Sequence, residues 1–427
     1  MHIGSRLRRL RESNSFTQKE VSSGIISTSH YSNIESGRFE PSSDVLALLA
    51  NRLEVPIAYF QKIHEDDASL QKRLLEYEEL LSDMNGIPEF FNKHGSQFAY
   101  ISSINQEIMF NLLKYIELVK VGRIPEAQVH YSVEIAYIPQ KFFENASRSL
   151  FEKYTYTSAL FYYFKKDYEA SISHFEDALY LTREKSLSAK INYNISLALF
   201  QLYDYGTALI YAKRAKRQYM HLHNWAKSGD CYNLIASLYL EQHKTKEAKR
   251  YIDKGLSVLG NSVMETHGRL YHNLAFTLME EKEFTDALKM INTCIEVKKQ
   301  LKSKNLFDSE QLRLRILFHL GDLLAVRESM NRLQGSIQNE LEKARLDYFE
   351  AKLYHILHEY DLYEQKMKNS IRHLHANEDW KALKDAVRHI SLHYEANKKY
   401  KNAYKYQELC IHAYKRLTME VKGGEEL

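Results

Sequence analysis

Thr17-Gln18-Lys19-Glu20-Val21, then Gly24, then Ser27-Thr28-Ser29-His30-Tyr31-Ser32-Asn33-Ile34-Glu35-Ser36-Gly37 read as two short helices on either side of a sharp turn. Thr17 and Glu20 have the spacing of a capping box, in which each side chain satisfies a backbone amide at the helix start. Gly24 stands where the chain must turn, because a residue without Cβ takes a positive φ at little steric cost. Ser27 caps a third helix, which runs to about Ser36 and stops at Gly37. Upstream, Ile3, Leu7 and Leu10 recur at helical spacing with Arg6, Arg8, Arg9 and Arg11 around them. Downstream, Pro41-Ser42 opens a fourth helix carrying Val45, Leu46, Leu48, Leu49 and Leu53. Pro56 opens a fifth short segment, Ile57 to Phe60.

Two short helices joined tightly and buttressed by three others describe a helix-turn-helix. In that geometry the third helix enters the major groove with its first residues against base edges. Thr28, Ser29 and His30 at that end, with Asn33 one turn on, supply donors and acceptors for bases. Gln18, at the start of the preceding helix, and Arg38, just past the third, are spaced to reach phosphates. The segment resembles the Cro/C1-type (XRE) helix-turn-helix family through Thr17-Gln18, the Ser32-x-Ile34-Glu35-x-Gly37 ending and Pro41-Ser42. It departs at Tyr31, where an aliphatic residue usually packs inward, and at the polar pair Ser22-Ser23. Residues 1–60 hold seven basic side chains against six acidic ones. One module alone therefore has little nonspecific electrostatic affinity, and dimerisation would double its phosphate contacts. The alternative is a degenerate module that only dimerises or docks a partner.

A chain of 427 residues exceeds a single ordinary core, so two or more domains are expected. Few prolines (5) and glycines (15) favour long helices over loops and sheet. The net charge of +4 neither demands nor excludes nucleic acid. Cys231, Cys294 and Cys410 are far apart and lack metal-ligand spacing, which predicts reduced thiols in a cytoplasmic protein. No apolar run is long enough to span a membrane, so no membrane partner is expected. From Gln61 the pattern loosens. Leu70, Leu74, Leu75, Tyr77, Leu80 and Leu81 suggest one amphipathic helix, broken at Asn85-Gly86-Ile87-Pro88.

Beyond it the sequence repeats. Glu126-Ala127, Tyr168-Glu169-Ala170-Ser171, Tyr205-Gly206-Thr207-Ala208, Lys246-Glu247-Ala248 and Phe284-Thr285-Asp286-Ala287 each place an alanine at the start of a second helix. Weaker copies fall at Gly321-Asp322, Tyr360 to Tyr363 and Tyr400 to Ala403. Ala208, Ala248 and Ala287 stand close to 40 residues apart. The units resemble tetratricopeptide repeats, whose basic length is about 34 residues. One hairpin cannot bury its apolar face alone; stacked hairpins can, and they form a superhelix with a concave inner wall.

The first helices of three successive units carry Asn194, Asn233 and Asn273 in similar register. Lys190 and Arg269 stand four residues before the first and last of these. Residues at i and i+4 share a helix face. An amide matches the donor and acceptor of a peptide unit, and a base takes a carboxylate. At 8–10 Å per packed helix, Asn194 to Asn273 spans roughly 20 Å, the length of an extended peptide of about six residues. The alternative is ordinary interhelical hydrogen bonding. His221-x-His223 and His373-x-His375 point to opposite helix sides, and His355 with His358 lacks a third ligand in the sequence, so no metal is expected. No phosphate-binding loop, nucleophile elbow or other catalytic constellation occurs, so neither an enzyme nor a cofactor is expected.

The helix-turn-helix and the repeats together resemble the RRNPP family of peptide-pheromone receptors of Gram-positive bacteria, in its PlcR/NprR branch. The number of repeats is nearer the NprR side. The resemblance implies binding of double-stranded DNA and of a short signalling peptide, with homodimers or higher homo-oligomers forming through the repeats. It also implies that Asn194, Asn233 and Asn273 contact the peptide. The expected fold is all-α: a five-helix DNA-binding domain at 1–65, connector helices at 66–105, and a right-handed superhelix of about eight tetratricopeptide-like hairpins at 106–427. The expected function is transcriptional regulation in which peptide changes oligomer geometry and DNA binding. Two alternatives share the architecture. One is an adaptor that sequesters a signalling protein such as a response regulator; the other is a phage or mobile-element lysogeny regulator.

Overall fold

The computed structural model describes residues 3–260, 265–303 and 306–419, and the chain divides into two compact units, Met1–Arg183 and Glu184–Leu427. Every regular element among the described residues is helical.

The first unit begins with α1 (Ile3–Ser13), α2 (Gln18–Ser22), α3 (Thr28–Glu35), α4 (Ser43–Arg52) and α5 (Ala58–Gln61). The expected caps are present. Thr17 Oγ1 accepts from Glu20 N while Glu20 accepts from Thr17 N, and Ser27 and Ser42 accept from His30 N and Val45 N. Leu7, Val21, Tyr31, Ile34, Leu46, Leu49 and Phe60 form the core of this module. Tyr31 is fully buried there, so the larger ring fills the space that an aliphatic residue would take. Ser22 is buried too, its hydroxyl bonded to Lys19 O. Gly24 and Gly37 adopt φ of 73° and 75°. Gly4 is where α1 meets the end of α3: a Cβ there would fall 1.8 Å from Ile34 O.

The unit continues with α6 (Ala68–Leu80), α7 (Ile87–His94), α8 (Ile104–Val121), α9 (Ile124–Glu134), α10 (Gln140–Glu144), α11 (Arg148–Phe164) and α12 (Tyr168–Leu181). Asp67 caps α6, and Gly86 (φ 75°) makes the break before α7. Helices α8/α9 and α11/α12 are the first two hairpins.

The second unit stacks six more. They are α13 (Lys185–Gln201) with α14 (Tyr205–His221), α15 (Trp225–Glu241) with α16 (Thr245–Leu259), and α17 (Glu265–Glu280) with α18 (Phe284–Gln300). Then come α19 (Leu306–Leu320) with α20 (Leu323–Gln334), α21 (Glu340–Ile356) with α22 (Tyr360–Ala376), and α23 (Trp380–Ala396) with α24 (Tyr400–Met419). The landmark alanines Ala127, Ala208, Ala248 and Ala287 are fully buried where the two helices of a hairpin touch, which is why a small residue recurs there. Ser196 Oγ donates to Ala208 O and Ser391 Oγ to Ala403 O, the same link across two hairpins. Lys166, Tyr203, His243, Lys282, His358 and Lys398 take φ between 57° and 65° just before the second helix of their hairpins. These non-glycine turns explain how the fold closes so many hairpins with so few glycines.

Candidate nucleic-acid interface and ligand wall

At the N-terminal end of α3, Thr28, Ser29 and His30 are exposed and Asn33 is half-buried. The His30 ring stacks on Phe39, 5.8 Å between centroids and 13° from parallel, and Phe39 itself is 54% exposed. Gln18 donates to Glu35 Oε2 at 2.7 Å, and Arg11 grips the same carboxylate through Nε (2.7 Å) and Nη2 (3.2 Å). Glu35 thus ties α1, α2 and α3 together at the foot of the helix pair. Arg38 is exposed.

The other arginines of the module have structural duties that local spacing did not reveal. Arg6 is 1% exposed and donates to Ile101 O and Ser102 O, and to Glu107 Oε2 at 2.8 Å, with its guanidinium 4.3 Å from the Tyr59 ring centre. Arg9 donates to Glu107 Oε1, to Tyr59 Oη and Tyr137 Oη at 2.7 Å each, and to Glu134 at 3.1 Å. Tyr59 Oη donates to Glu107 Oε1 at 2.6 Å. The Glu107 carboxylate, on the first turn of α8, therefore gathers two guanidiniums and a phenol. This network fastens the helix-turn-helix to the first hairpin. Burial, followed by the neighbouring Glu107 charge, pushes the Tyr59 phenol well above its ordinary range, so it stays a donor. Arg52 caps the end of α2 through Glu20 O (2.7 Å) and Ser23 O (3.0 Å), and Arg8 pairs with Glu12. Of the seven bases in residues 1–60, Lys19 and Arg38 keep side chains with no hydrogen bond or ion pair among the described residues.

In the second unit, Asn194, Asn233 and Asn273 occupy the middle of α13, α15 and α17, all first helices of their hairpins and all half-buried. Asn273 Nδ2 donates to Asn233 Oδ1 and to Ser237 Oγ, each at 3.0 Å, so two of the three amides are brought together. Among the described residues no hydrogen bond joins Asn194 to them. Lys190 is half-buried on α13. Arg269 donates to Asp230 Oδ1 at 2.5 Å and to Thr266 Oγ1 at 2.9 Å, so its charge is already matched.

A feature absent from the sequence reading continues this wall. A cleft of about 480 Å³ is lined by Phe276, Met279 and Glu280 of α17, Gln311, Arg315 and His319 of α19, Arg345, Tyr348, Phe349 and Lys352 of α21, and Lys381, Lys384 and Asp385 of α23. Phe276 and Glu280 follow Asn273 by three and seven residues and so share its face of α17. Arg315 reaches Asp385 at 3.3 Å, and Lys381 reaches Glu241 at the end of α15 at 3.0 Å. First helices far apart in sequence thus meet across the wall. The sequence signal was present as bases at i and i+7 on α21 (Arg345, Lys352), but nothing local says that four helices share one cleft.

The histidines also come together in a way the sequence hid. Helix α21 stops at Ile356, so His358 sits in a turn rather than on the face of His355. His355 instead meets His389 and His393 of α23, 5.1 and 5.2 Å between ring centres. Tyr363 Oη lies 2.9 Å from His389 Nδ1. No group of three His, Cys, Asp or Glu among the described residues has the arrangement of a metal site, and no described helix is long and apolar enough to cross a membrane.

Comparison with known proteins follows the same division. Residues 7–60 match the family model described as Helix-turn-helix, and residues 153–185 match that described as Tetratricopeptide repeat. The chain is 23% identical over 425 residues to the "Transcriptional activator NprA" of Geobacillus stearothermophilus, covering 93% of this chain and 99% of that one. Among solved structures, the apo form of the quorum sensor NprR from B. thuringiensis superposes with a TM-score of 0.68 at 16% identity, covering 81% of this chain and 99% of that one. Apo RapI gives 0.64 at 13% identity, covering 82% and 99%. At these identities the structures establish the fold: helical, built of tetratricopeptide-like hairpins. The pairing of an XRE-type helix-turn-helix with such repeats, read from the sequence as RRNPP-like, is borne out. The near-full-length relative is named as a transcriptional activator and not as an enzyme.

Proposed function

We propose that this chain is a peptide-regulated transcriptional regulator. Residues 1–65 form the DNA-binding domain, 66–105 the connector, and 106–427 the peptide-binding repeats. Thr28, Ser29, His30 and Asn33 read bases in the major groove, while Gln18 and Arg38 position the module on phosphates. Asn233 and Asn273, with Lys190, Asn194 and Arg269 along the same wall, meet a short signalling peptide. Peptide binding changes the geometry of a homodimer or higher oligomer and so re-spaces two DNA-binding modules relative to half-sites about 34 Å apart.

The observation that carries this reading is the contrast within the first 60 residues. Arg6, Arg9, Arg11 and Arg52 are bonded inward, while the polar first turn of α3, Lys19 and Arg38 stay exposed. The positive end of the helix dipole with exposed polar side chains on its first turn suits an anionic duplex. The full-length likeness to a transcriptional activator supports the same reading for both modules together.

The test is capture of fragmented source-genome DNA by the purified full chain at near-physiological salt, beside a Thr28→Ala/Ser29→Ala/Asn33→Ala variant. The expected result is a few enriched sites with paired half-sites, lost in the variant. Co-purification of a stoichiometric protein partner with no DNA enrichment would instead establish an adaptor.

A further inference from the structure

We infer that the anionic end of the ligand is held in the cleft of α17, α19, α21 and α23, with the Lys352 ammonium as its anchor. The ligand is thus a short peptide bearing a carboxylate. This rests on the peptide-receptor reading and moves the site from the stretch Asn194–Asn273 toward the C-terminal hairpins.

Charge matching on the wall carries the inference. Arg269, the base that spacing nominated, is neutralised by Asp230. Within the cleft Arg345 is paired with Asp379 (2.8 Å), Arg315 with Asp385 (3.3 Å), and Lys381 with Glu241 (3.0 Å). Lys384 lies 3.9 Å from Asp385. Lys352 differs: among the described residues no carboxylate pairs with it. Its Nζ instead lies over two aromatic faces, 4.9 Å from the Phe318 ring centre and 5.8 Å from that of Tyr348. Ring faces attract a cation but accept no full complement of hydrogen bonds, so the three ammonium donors are under-used. Burial, helped by Arg315, lowers the Lys352 pKa against the opposing pull of Asp385, which marks a charge lacking a close counter-ion. A carboxylate entering the cleft supplies that counter-ion in a partly desolvated place, where the pair is strongest.

The geometry suits one extended peptide. Asn273 stands on the same face of α17 as Phe276 and Glu280 in the cleft lining. From α17 through α19 to α21 is at most roughly 20 Å at 8–10 Å per helix pair. That corresponds to about six extended residues, with a backbone amide met by Asn273 at one end and a carboxylate met by Lys352 at the other.

The probe is a pooled, fully randomised hexapeptide library, prepared once with free and once with amidated C-termini, passed over the full-length protein and sequenced after elution. Wild-type protein is expected to retain peptides enriched for Asp or Glu, if a side chain is the anchor, or to prefer the free-carboxyl pool, if the terminus is. Lys352→Met should weaken that preference about tenfold or more, and Lys352→Arg should keep it, with both variants matching wild type by circular dichroism. Retained peptides without any carboxylate preference, or a preference unchanged in Lys352→Met, would overturn the inference while leaving the receptor reading intact. No retained peptide at all would overturn both.

Discussion

Arg6 and Glu107 stand 101 residues apart in the sequence and 2.8 Å apart in the fold, joined by a buried ion pair. Glu107 is the only carboxylate bonded to the otherwise carbonyl-lined Arg6 site among the described residues. Removing one partner of a buried pair leaves an uncompensated charge, which costs more than the pair itself gains. Glu107→Ala should therefore destabilise the first unit by about 3 kcal/mol, seen as an earlier denaturation midpoint by circular dichroism. Glu107→Gln, which keeps one of the two acceptor oxygens and leaves no cavity, should lose less. Equal, small effects of both would show that the network is dispensable.

Gly4 predicts a second sensitivity in the same module. A Cβ 1.8 Å from Ile34 O cannot be absorbed by a side-chain rotation, because the obstacle is backbone. Gly4→Ala should push α1 off the end of α3 at a cost of about 1–3 kcal/mol and weaken DNA binding in parallel. A variant as stable as wild type would mean that α1 shifts freely.

The paired amides give a third. Asn273 donates to Asn233 and to Ser237, so the wall presents them as one unit. Asn233→Ala and Asn273→Ala should each weaken binding of a peptide encoded beside the captured DNA sites, while peptide-free DNA affinity stays as in wild type. Loss of both activities together would assign these residues to the fold rather than to the ligand.

The histidines make stability depend on acidity. Burial, then the positive potential of His355, Lys352 and His393, brings His389 down to about 4, while Tyr363 Oη on α22 bonds its ring. Burial and Lys298 bring His272 down to about 4 as well. Below the ordinary value of 6.5 the unfolded chain takes up protons that the folded sites refuse until about pH 4. Stability is whole at pH 7 and falls as the pH drops through that window. His389→Asn should flatten the slope of midpoint against pH between 6.5 and 4; an unchanged slope would place the titration elsewhere.

How much of this could be read in advance follows from the range of the interactions. The caps at Thr17, Ser27 and Ser42 were legible because a cap bonds an amide two or three residues on, at an offset fixed by helix geometry. The buried Ala208, Ala248 and Ala287 were legible because stacking demands a small residue at each repeat. Glu107 was not: its partners Arg6, Arg9 and Tyr59 lie 48 to 101 residues away, and only packing selects them. Arg269 was picked out as a base on the right face, but Asp230, which neutralises it, sits one repeat earlier on another helix. The cluster of His355, His389 and His393 and the cleft around Lys352 were hidden for the same reason.

The central claim is that one chain links a peptide on its repeats to DNA at its helix-turn-helix. It is tested most directly by titrating a captured DNA site with full-length protein, with and without the peptide encoded beside that site. Wild-type DNA affinity should shift by about 5- to 150-fold, the range of a coupling of about 1–3 kcal/mol, and the shift should vanish in Asn273→Ala. Saturating peptide binding that leaves wild-type DNA affinity and assembly unchanged would contradict the account.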